Sequence, residues 1–575
     1  MSELDHAPAT LIGRRTVEIS GLAVLLAVVA AFVAQILTAL IALVTNAAFY
    51  GRFSTVPVSP AGNHLGSFVI VVPVLGAFVV GVMARYGSAA IRGHGIPEAM
   101  ERVLEHESRI PARLTLLKPL SAAIAIGTGG PFGAEGPIIA TGSSLGSLLG
   151  QWLPMSARER KTLLAAGAAA GMSATFGSPV AAVLLAIELL LFEWSPRSIV
   201  PVALASATAA GVRLAMVGGD AVFPMPAIAN ASGGALLAYV VVGAVIGAVA
   251  VGVTRAVYAV EDAFEKLPMH WMWWPAIGAV VVGVVGYFAP RTMGVGYDNI
   301  EAIVSGHLIG SALVVLCTLK FVSWVIALGS GTSGGTLAPL FTIGGGLGGV
   351  LGAAIATLLP SLGVDPRVAA LVGMAAMFSG ASHAVMTSIV FAFETTRQPA
   401  TLLPLLGGCM AAYLIAATWM RHSIMTTKIA RRGVRIPLEF EPDALAHVTS
   451  GAWTTRPAVS LLSSATVKDA RAMIETATQR YAAYPVCDED GRVVGVITSR
   501  DLANAPDDAS TLESITAREP LTVRDDHPLS DAIERMHRGG VGSLPVVSAN
   551  GSLVGVISRR DVLAAWRKAA RPTHV

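Results

Sequence analysis

Long apolar runs with few charged residues alternate with short polar segments up to about residue 436. The first run, residues 21–44, is apolar apart from Gln35 and Thr38 and would form about 36 Å of helix, enough to cross a bilayer with some tilt. Several later runs are shorter. They cover residues 67–84, 201–217, 233–253, 275–288, 311–328 and 402–419. The pattern predicts an all-α polytopic membrane domain whose helices differ in length.

Composition supports this interpretation, because 54% of the residues are hydrophobic and only 13% are charged. A soluble globular protein of this size is excluded. Arg14 and Arg15 precede the first run as in a signal peptide, but the run is too long for one and lacks a small-residue cleavage site, so we expect an uncleaved anchor helix. Cys317, Cys409 and Cys487 lie far apart and predict neither a disulfide framework nor a metal site.

Basic residues flank the apolar part of the chain at both ends. Arg14 and Arg15 stand before the first run, and residues 428–435 after the last run contain four more basic side chains, Lys428, Arg431, Arg432 and Arg435. The positive-inside rule therefore predicts that both termini are cytoplasmic and that the number of crossings is even. The second cluster suits anionic lipid headgroups better than nucleic acid.

A long internal repeat runs through the apolar part. Gly127–Pro137 resembles Gly329–Pro339 at an offset of 202 residues, and Gly93–Pro97 has a counterpart in Gly294–Asp298 at an offset of 201. In both copies glycines and a proline interrupt apolar sequence. Such duplication predicts inverted repeats whose broken helices form a binding site near the middle of the bilayer.

Three of these interruptions, Gly93–Pro97, Gly133–Pro137 and Gly335–Pro339, open helices. The first backbone amides of a helix have no intrahelical partner and receive anions well. If the two repeats are inverted, the three helix starts would converge and replace the hydration of an anion, yet bind it weakly enough to release it. The chain is therefore predicted to be an anion transporter or channel.

Glu135 is an acidic residue at the start of an apolar helix. An ionisable group there is costly unless it faces a wet pathway or the positive end of a helix. The other repeat has Leu337 at this position, so only one copy carries a carboxylate. The alternative is a first-turn glutamate that the helix dipole stabilises and that has no other role.

Beyond residue 436 charged residues become frequent and a second repeat appears at an offset of 60 residues. Tyr484–Val486 recurs as Leu544–Val546, and Gly495–Asp501 recurs as Gly555–Asp561. Each copy is typical of a short strand, a turn, a buried strand and a helix that Ser or Thr caps. The tail is predicted to be a soluble α/β region.

The three helix-opening segments, together with Gly171–Glu188, resemble the signature segments of the CLC family of chloride channels and chloride/proton exchangers over roughly residues 20–432. The resemblance implies a homodimer with a separate anion pathway in each subunit, formed by residues 21–436 behind a cytoplasmic segment, residues 1–20. Glu135 would be the external gate and proton acceptor, because its carboxylate would mimic a bound anion.

The resemblance also implies which residues line the anion pathway. They are His94, Gly95, Ile96, Ala134, Gly136, Thr336, Leu337, Ala338 and Met425. The chain departs from the family pattern at three of them, since His94 replaces a serine, Leu337 a phenylalanine and Met425 a tyrosine. Two hydroxyl donors are thereby lost. His94 would either cap its own helix or offer a ring N–H to the ion, and if wet it would titrate near neutral pH; Met425 would either line the path or simply pack.

The inner proton-transfer glutamate of the exchangers aligns with Leu189. The neighbouring Glu188 cannot simply replace it, because one residue along a helix rotates a side chain by about 100°. Channel and proton-coupled exchanger therefore both remain open.

The tail resembles a tandem pair of CBS domains, with one copy at residues 447–506 and the second at 513–568. Such a pair implies a regulatory adenine nucleotide (ATP, ADP or AMP), with the Thr498 and Ser558 hydroxyls near phosphate and the Asp501 and Asp561 carboxylates on ribose. The alternative is that these residues only cap helices in a dimer scaffold. No other cofactor is expected.

The function predicted is chloride transport in a bacterial inner membrane, with chloride and possibly protons as the transported ions. One alternative is a fluoride/proton antiporter of the same architecture, which the lost serine and inner glutamate favour but the CBS tail disfavours. The other is a membrane-anchored adenine-nucleotide sensor. Gly142–Gly146 matches a nucleophile motif, but it lies in an apolar segment and its counterpart has Gly346 in place of Ser144. We expect helix packing there and no enzyme.

Overall fold

The computed structural model describes residues 12–437, 448–476, 483–505, 507–516 and 520–569. These residues form two compact units, a membrane unit that ends at residue 437 and a tail unit that begins at residue 448.

The membrane unit consists of helices joined by short turns, in agreement with the all-α prediction. The helices are α1 (Arg14–Tyr50), α2 (Val71–Tyr86), α3 (Ile96–Glu105), α4 (Leu114–Gly127), α5 (Glu135–Trp152), α6 (Ala157–Phe176), α7 (Pro179–Ala186), α8 (Pro196–Val217), α9 (Gly233–Glu265), α10 (Trp274–Phe288), α11 (Tyr297–Val304), α12 (Gly310–Gly329), α13 (Leu337–Leu358), α14 (Pro366–Ser382), α15 (Val385–Thr396), α16 (Leu402–Trp419) and α17 (Thr427–Arg431). A π-helical turn at Ile187–Leu191 extends α7.

Eight helical segments in the described part of the chain are long and apolar enough to cross a membrane. Helix α1 contains the predicted first run and extends it at both ends. Its outward face carries Leu25, Val29, Phe32 and Ile36, which are 50–66% exposed. A continuous apolar face of this kind is unfavourable in water and suits lipid.

Helix pairs that correspond in the two repeats pack at glycine. Helix α5 lies along α6, and α13 lies along α14. A Cβ atom on Gly142 would stand 2.1 Å from the carbonyl oxygen of Gly167, and one on the equivalent Gly344 would stand 2.4 Å from that of Gly373. Gly142–Gly146 therefore lies inside α5 as a packing surface, as the sequence indicates.

Two glutamates make equivalent contacts, each with the start of a helix in the other repeat. The Glu188 carboxylate accepts hydrogen bonds from the backbone N–H groups of residues 386–387, both at 3.0 Å, at the start of α15. The Glu394 carboxylate accepts from those of residues 180–181, at 3.1 and 2.9 Å, at the start of α7. Each repeat thus caps a helix of the other, as a two-fold relation requires.

The tail unit contains two small mixed sheets flanked by helices, in agreement with the α/β prediction. Its elements are β1 (Leu461–Leu462), α18 (Val467–Thr476), β2 (Ala483–Cys487), β3 (Val493–Thr498), α19 (Ser499–Ala503), α20 (Leu512–Ile515), β4 (Val523–Arg524), α21 (Leu529–Gly539), β5 (Ser543–Val547), β6 (Leu553–Ser558) and α22 (Arg559–Ala569). Both sheets place a central strand between a parallel and an antiparallel neighbour, in the orders β1-β2-β3 and β4-β5-β6.

The two copies in the tail are joined by reciprocal backbone hydrogen bonds. Val493 N–H donates to Gly551 at 3.2 Å, and Leu553 N–H donates to Gly491 at 2.9 Å. The sequence-based boundaries assign residues 448–456 to the first copy. In the structure they contact the second copy, and Trp453 packs on its core. The tandem copies therefore form one structural unit.

Candidate anion site

Backbone hydrogen bonds join the loops that precede α3, α5 and α13. Gly334 N–H donates to Gly93 at 3.4 Å, and Gly335 N–H donates to Gly133 at 2.9 Å. The hydroxyl of Ser121 donates to that of Ser333 at 3.2 Å. The structure thus brings together the starts of three helices that the sequence singles out.

Glycine is required where these loops meet. A Cβ atom on Gly136 would stand 2.2 Å from the carbonyl oxygen of His94, and one on Gly335 would stand 2.5 Å from that of Gly133. Gly95 has a φ of +91°, which a side chain would strain. No bulkier residue allows the three backbones to approach this closely.

The helix starts present unpaired amides. The first backbone N–H that donates to a carbonyl oxygen four residues earlier is that of Ala99 in α3, Ile138 in α5 and Leu340 in α13. The predicted amides of Ile96, Gly136, Leu337 and Ala338 all precede those positions, and Ala134 and Thr336 are the adjoining cap residues. Helix ends of this kind carry partial positive charge, so three of them at one place favour an anion.

Glu135 lies at this junction as the first residue of α5 and is 1% exposed. The Tyr297 hydroxyl donates a hydrogen bond to its Oε1 at 3.0 Å. The backbone amide of Ala338 also faces the carboxylate, although Oε2 lacks a partner of ordinary hydrogen-bond geometry. The carboxylate therefore occupies a position where an anion would meet the start of α13.

Tyr297 is a contact that the sequence interpretation missed. It is the first residue of α11 and follows Gly296, whose φ is +76°. The signal was present, since Gly294–Asp298 repeats Gly93–Pro97 and places Tyr297 opposite Ile96. Only the second repeat carries this hydroxyl, and only the first repeat carries the carboxylate of Glu135 that it contacts.

His94 does not cap its helix. The cap comes from Glu98, whose Oε2 accepts a hydrogen bond from Gly95 N–H at 2.9 Å. The His94 side chain is 6% exposed and its Nδ1 has no partner. Burial removes the water contact on which titration near neutral pH depended.

Two buried lysines in equivalent positions of the repeats hold the neighbouring loops. Lys118 Nζ donates to the carbonyl oxygens of Ile91 and Gly93, each at 2.8 Å. Lys320 Nζ donates to residues 292 and 294, at 2.9 and 3.2 Å. Both side chains thus fix the geometry of the loops that lead to the helix starts.

The Met425 side chain packs in the core of the membrane unit and offers no hydrogen-bond donor to an anion. Its side chain is fully buried in the main core, and its backbone N–H donates to the Ser423 hydroxyl at 3.2 Å. Lys428 anchors this segment to α3 through an ion pair with Glu98 at 2.9 Å.

The basic cluster after the last apolar run is also occupied by partners within the membrane unit. Arg431 pairs with Asp262, and Arg432 pairs with Glu101. Together with Lys428, three of the four basic residues expected to face lipid headgroups thus bind carboxylates.

In the tail, the residues that are predicted to bind a nucleotide form hydrogen bonds with each other. Asp501 Oδ2 accepts from the N–H and the hydroxyl of Thr498 at 2.9 and 2.7 Å, and Asp561 Oδ2 accepts from those of Ser558 at 2.8 and 2.6 Å. These are capping contacts at the starts of α19 and α22. A nucleotide remains a prediction for both positions.

Within the described ranges, no group of three or more His, Cys, Asp or Glu side chains is placed to hold a metal ion. The three cysteines are buried and unpaired with one another.

Comparison with known proteins identifies both units. Residues 75–417 match the family model described as voltage gated chloride channel, and residues 451–508 and 512–568 each match the CBS domain. The "Putative chloride channel protein ClcB-like" of Ralstonia nicotianae is 26% identical over 366 residues, which cover 63% of this chain and 85% of that protein. The "H(+)/Cl(-) exchange transporter ClcA" of Vibrio parahaemolyticus is 28% identical, covering 60% and 76%.

Solved structures share the fold. A slow cyanobacterial Cl-/H+ antiporter has a TM-score of 0.65 at 22% identity and covers 73% of this chain and 98% of that one. A eukaryotic CLC transporter has a TM-score of 0.62 at 19% identity and covers 95% and 98%. A CLC-type fluoride/proton antiporter has a TM-score of 0.60 at 22% identity, covering 71% and 97%.

Proposed function

The chain belongs to the voltage gated chloride channel family, and from this premise we propose that its membrane unit transports chloride along a pathway gated by Glu135. It is a multi-pass integral membrane protein. The observation that carries the proposal is the junction of three helix starts around one buried carboxylate.

The gating step follows from competition for the same donors. An ionised Glu135 carboxylate faces the amide at the start of α13, where a permeating anion would also be stabilised. The path is closed while the carboxylate is bound. Protonation, or displacement by an incoming anion, releases it and leaves the helix starts free for chloride.

The inner part of a proton pathway lacks its expected acid. Leu189 is buried at the position of the inner proton acceptor, and the neighbouring Glu188 carboxylate is bound to the start of α15. We therefore infer that proton movement is weak relative to chloride movement or uses another internal group. The chloride-to-proton ratio distinguishes a channel from an exchanger.

The assembly and membrane are inferred from the family. We propose a homodimer with one pathway in each subunit, placed in a bacterial inner membrane with both termini cytoplasmic. The tail pair is proposed to regulate transport by binding an adenine nucleotide.

Anion selectivity is tested in vesicles that contain the purified protein and hold a KCl gradient. We expect a reversal potential near the chloride equilibrium potential, because the described site offers helix starts rather than a cluster of carboxylates. A value near the potassium potential would exclude the proposal. Replacing chloride with fluoride tests the antiporter alternative, which requires fluoride flux to exceed chloride flux.

A further inference from the structure

The Tyr297 hydroxyl is held in place independently of Glu135. Its ring packs edge-on against Phe176 and Phe223, with centroid distances of 5.6 and 6.1 Å. These contacts leave the hydroxyl directed at Glu135 Oε1, 3.0 Å away. A phenol has few rotatable bonds, so aromatic packing on two sides fixes its donor atom.

The backbone before Tyr297 is fixed as well. Lys320 Nζ bonds the carbonyl oxygens of Thr292 and Gly294, and Gly294 N–H donates to Gly129 at 3.2 Å. The last bond connects this loop to the segment that leads into α5. The phenol therefore stays in position when the more flexible glutamate side chain rotates away.

The site has a specific use for this donor. Two of the positions predicted to line the anion pathway, His94 and Met425, carry no hydroxyl. Tyr297 supplies a hydroxyl from α11, in a position where the other repeat carries Ile96. The hydroxyl reaches an oxygen of the carboxylate that mimics the anion.

We propose that Tyr297 is an anion-binding residue, whose O–H bonds Glu135 in the closed state and the chloride that takes the place of the carboxylate in the open state. The proposal rests on the proposed function, since it names a donor of that same site. The same hydroxyl thus donates to the gating carboxylate in one state and to the ion in the other. A hydrogen bond to a charged acceptor is strong enough that its loss weakens chloride binding by about tenfold or more.

The test is calorimetric chloride titration of the purified full-length Glu135→Ala protein, in which no carboxylate competes for the site. Adding Tyr297→Phe removes the hydroxyl and keeps the ring. The matched control adds Tyr239→Phe, which loses a hydroxyl that bonds the backbone of Asp365 instead. We expect about tenfold weaker binding with Tyr297→Phe and unchanged binding with the control.

Equal chloride affinity with and without the Tyr297 hydroxyl would overturn the proposal and leave the proposed function intact. If Glu135→Ala itself binds no chloride, the proposed function fails and this proposal fails with it. A second measurement needs no tyrosine variant. Bromide in crystals of Glu135→Ala should give an anomalous peak within hydrogen-bond distance of Tyr297 Oη, and a bound bromide distant from that atom would contradict the proposal.

Discussion

At the scale of single residues, the groups that a buried side chain contacts decide whether it can respond to pH. His94 is the departure from the family pattern at the start of α3, and its side chain is 6% exposed with no hydrogen-bond partner for Nδ1. A charge that appears there would need a partner or a wet path. Glu135 is more deeply buried still, at 1% exposed, but its carboxylate accepts a hydrogen bond from Tyr297 at the helix starts, and protonation would release it from its donors. We therefore assign acid sensitivity of transport to Glu135 and not to His94.

The corresponding prediction concerns His94→Ser. The serine supplies a short hydroxyl at the start of α3, so chloride should bind severalfold more tightly, while the pH profile of chloride flux should keep its shape. Flux in vesicles between about pH 5 and 8 measures the profile, and calorimetry measures the affinity. Loss of acid activation in the folded variant would return the proton-sensing role to His94.

Residues differ in how far sequence alone predicts them. Glu135 and the three loops could be predicted, because glycine and proline fix where helices begin and a carboxylate in apolar sequence is costly. The contact of Tyr297 with Glu135 joins positions 162 residues apart. The repeat marks the position of Tyr297, but it does not show which side chain the hydroxyl meets. The buried lysines are repeated in the sequence, but their carbonyl partners become visible only in three dimensions.

At the scale of elements, the sequence pattern could not predict that Glu188 caps α15 and that Glu394 caps α7. The repeat runs at an offset of 202 residues up to Phe176 and Phe378, whereas the helices that follow begin at Pro179 and Val385, 206 residues apart. Four additional residues in the second copy break the register. Glu188 and Glu394 therefore do not align by the simple repeat, although they do the same work.

These caps predict a stability effect separate from transport. Glu188→Ala and Glu394→Ala should each lower the free energy of unfolding by about 1–3 kcal/mol, because backbone donors of the opposite helix lose a charged acceptor. Thermal unfolding of the purified protein measures the loss. The chloride-to-proton ratio of folded Glu188→Ala should equal that of the parent. A changed ratio would mean that Glu188 takes part in proton movement and is not only a cap.

The broken helices, the duplication and the topology of the tail could be predicted at this scale, because periodic spacing of glycine, proline and strand-length apolar runs encodes them. The packing of residues 448–456 on the second tail copy could not. An irregular segment carries no period that specifies its partner.

At the scale of the whole molecule, the second unit is expected to make the protein sensitive to nucleotide. A ligand that binds only the folded tail raises its stability, by about 1.4 kcal/mol at ten times the dissociation constant. We predict that ATP, ADP or AMP at millimolar concentration raises the unfolding temperature of the full-length protein and changes its chloride flux, with GTP as the matched control. No response to any adenine nucleotide would support a scaffold role for Thr498–Asp501 and Ser558–Asp561.

The central claim is that one buried carboxylate closes an anion pathway made of helix starts. Paired chloride and proton fluxes in vesicles, for the parent and for Glu135→Ala shown to be folded and of the same oligomeric state, test it most directly. The parent flux should depend on external pH, because protonation releases the carboxylate from its donors. In Glu135→Ala the chloride flux should become largely independent of external pH, and any proton movement of the parent should disappear. An unchanged pH dependence in a folded, conducting Glu135→Ala protein would contradict the claim and leave Glu135 as a helix cap.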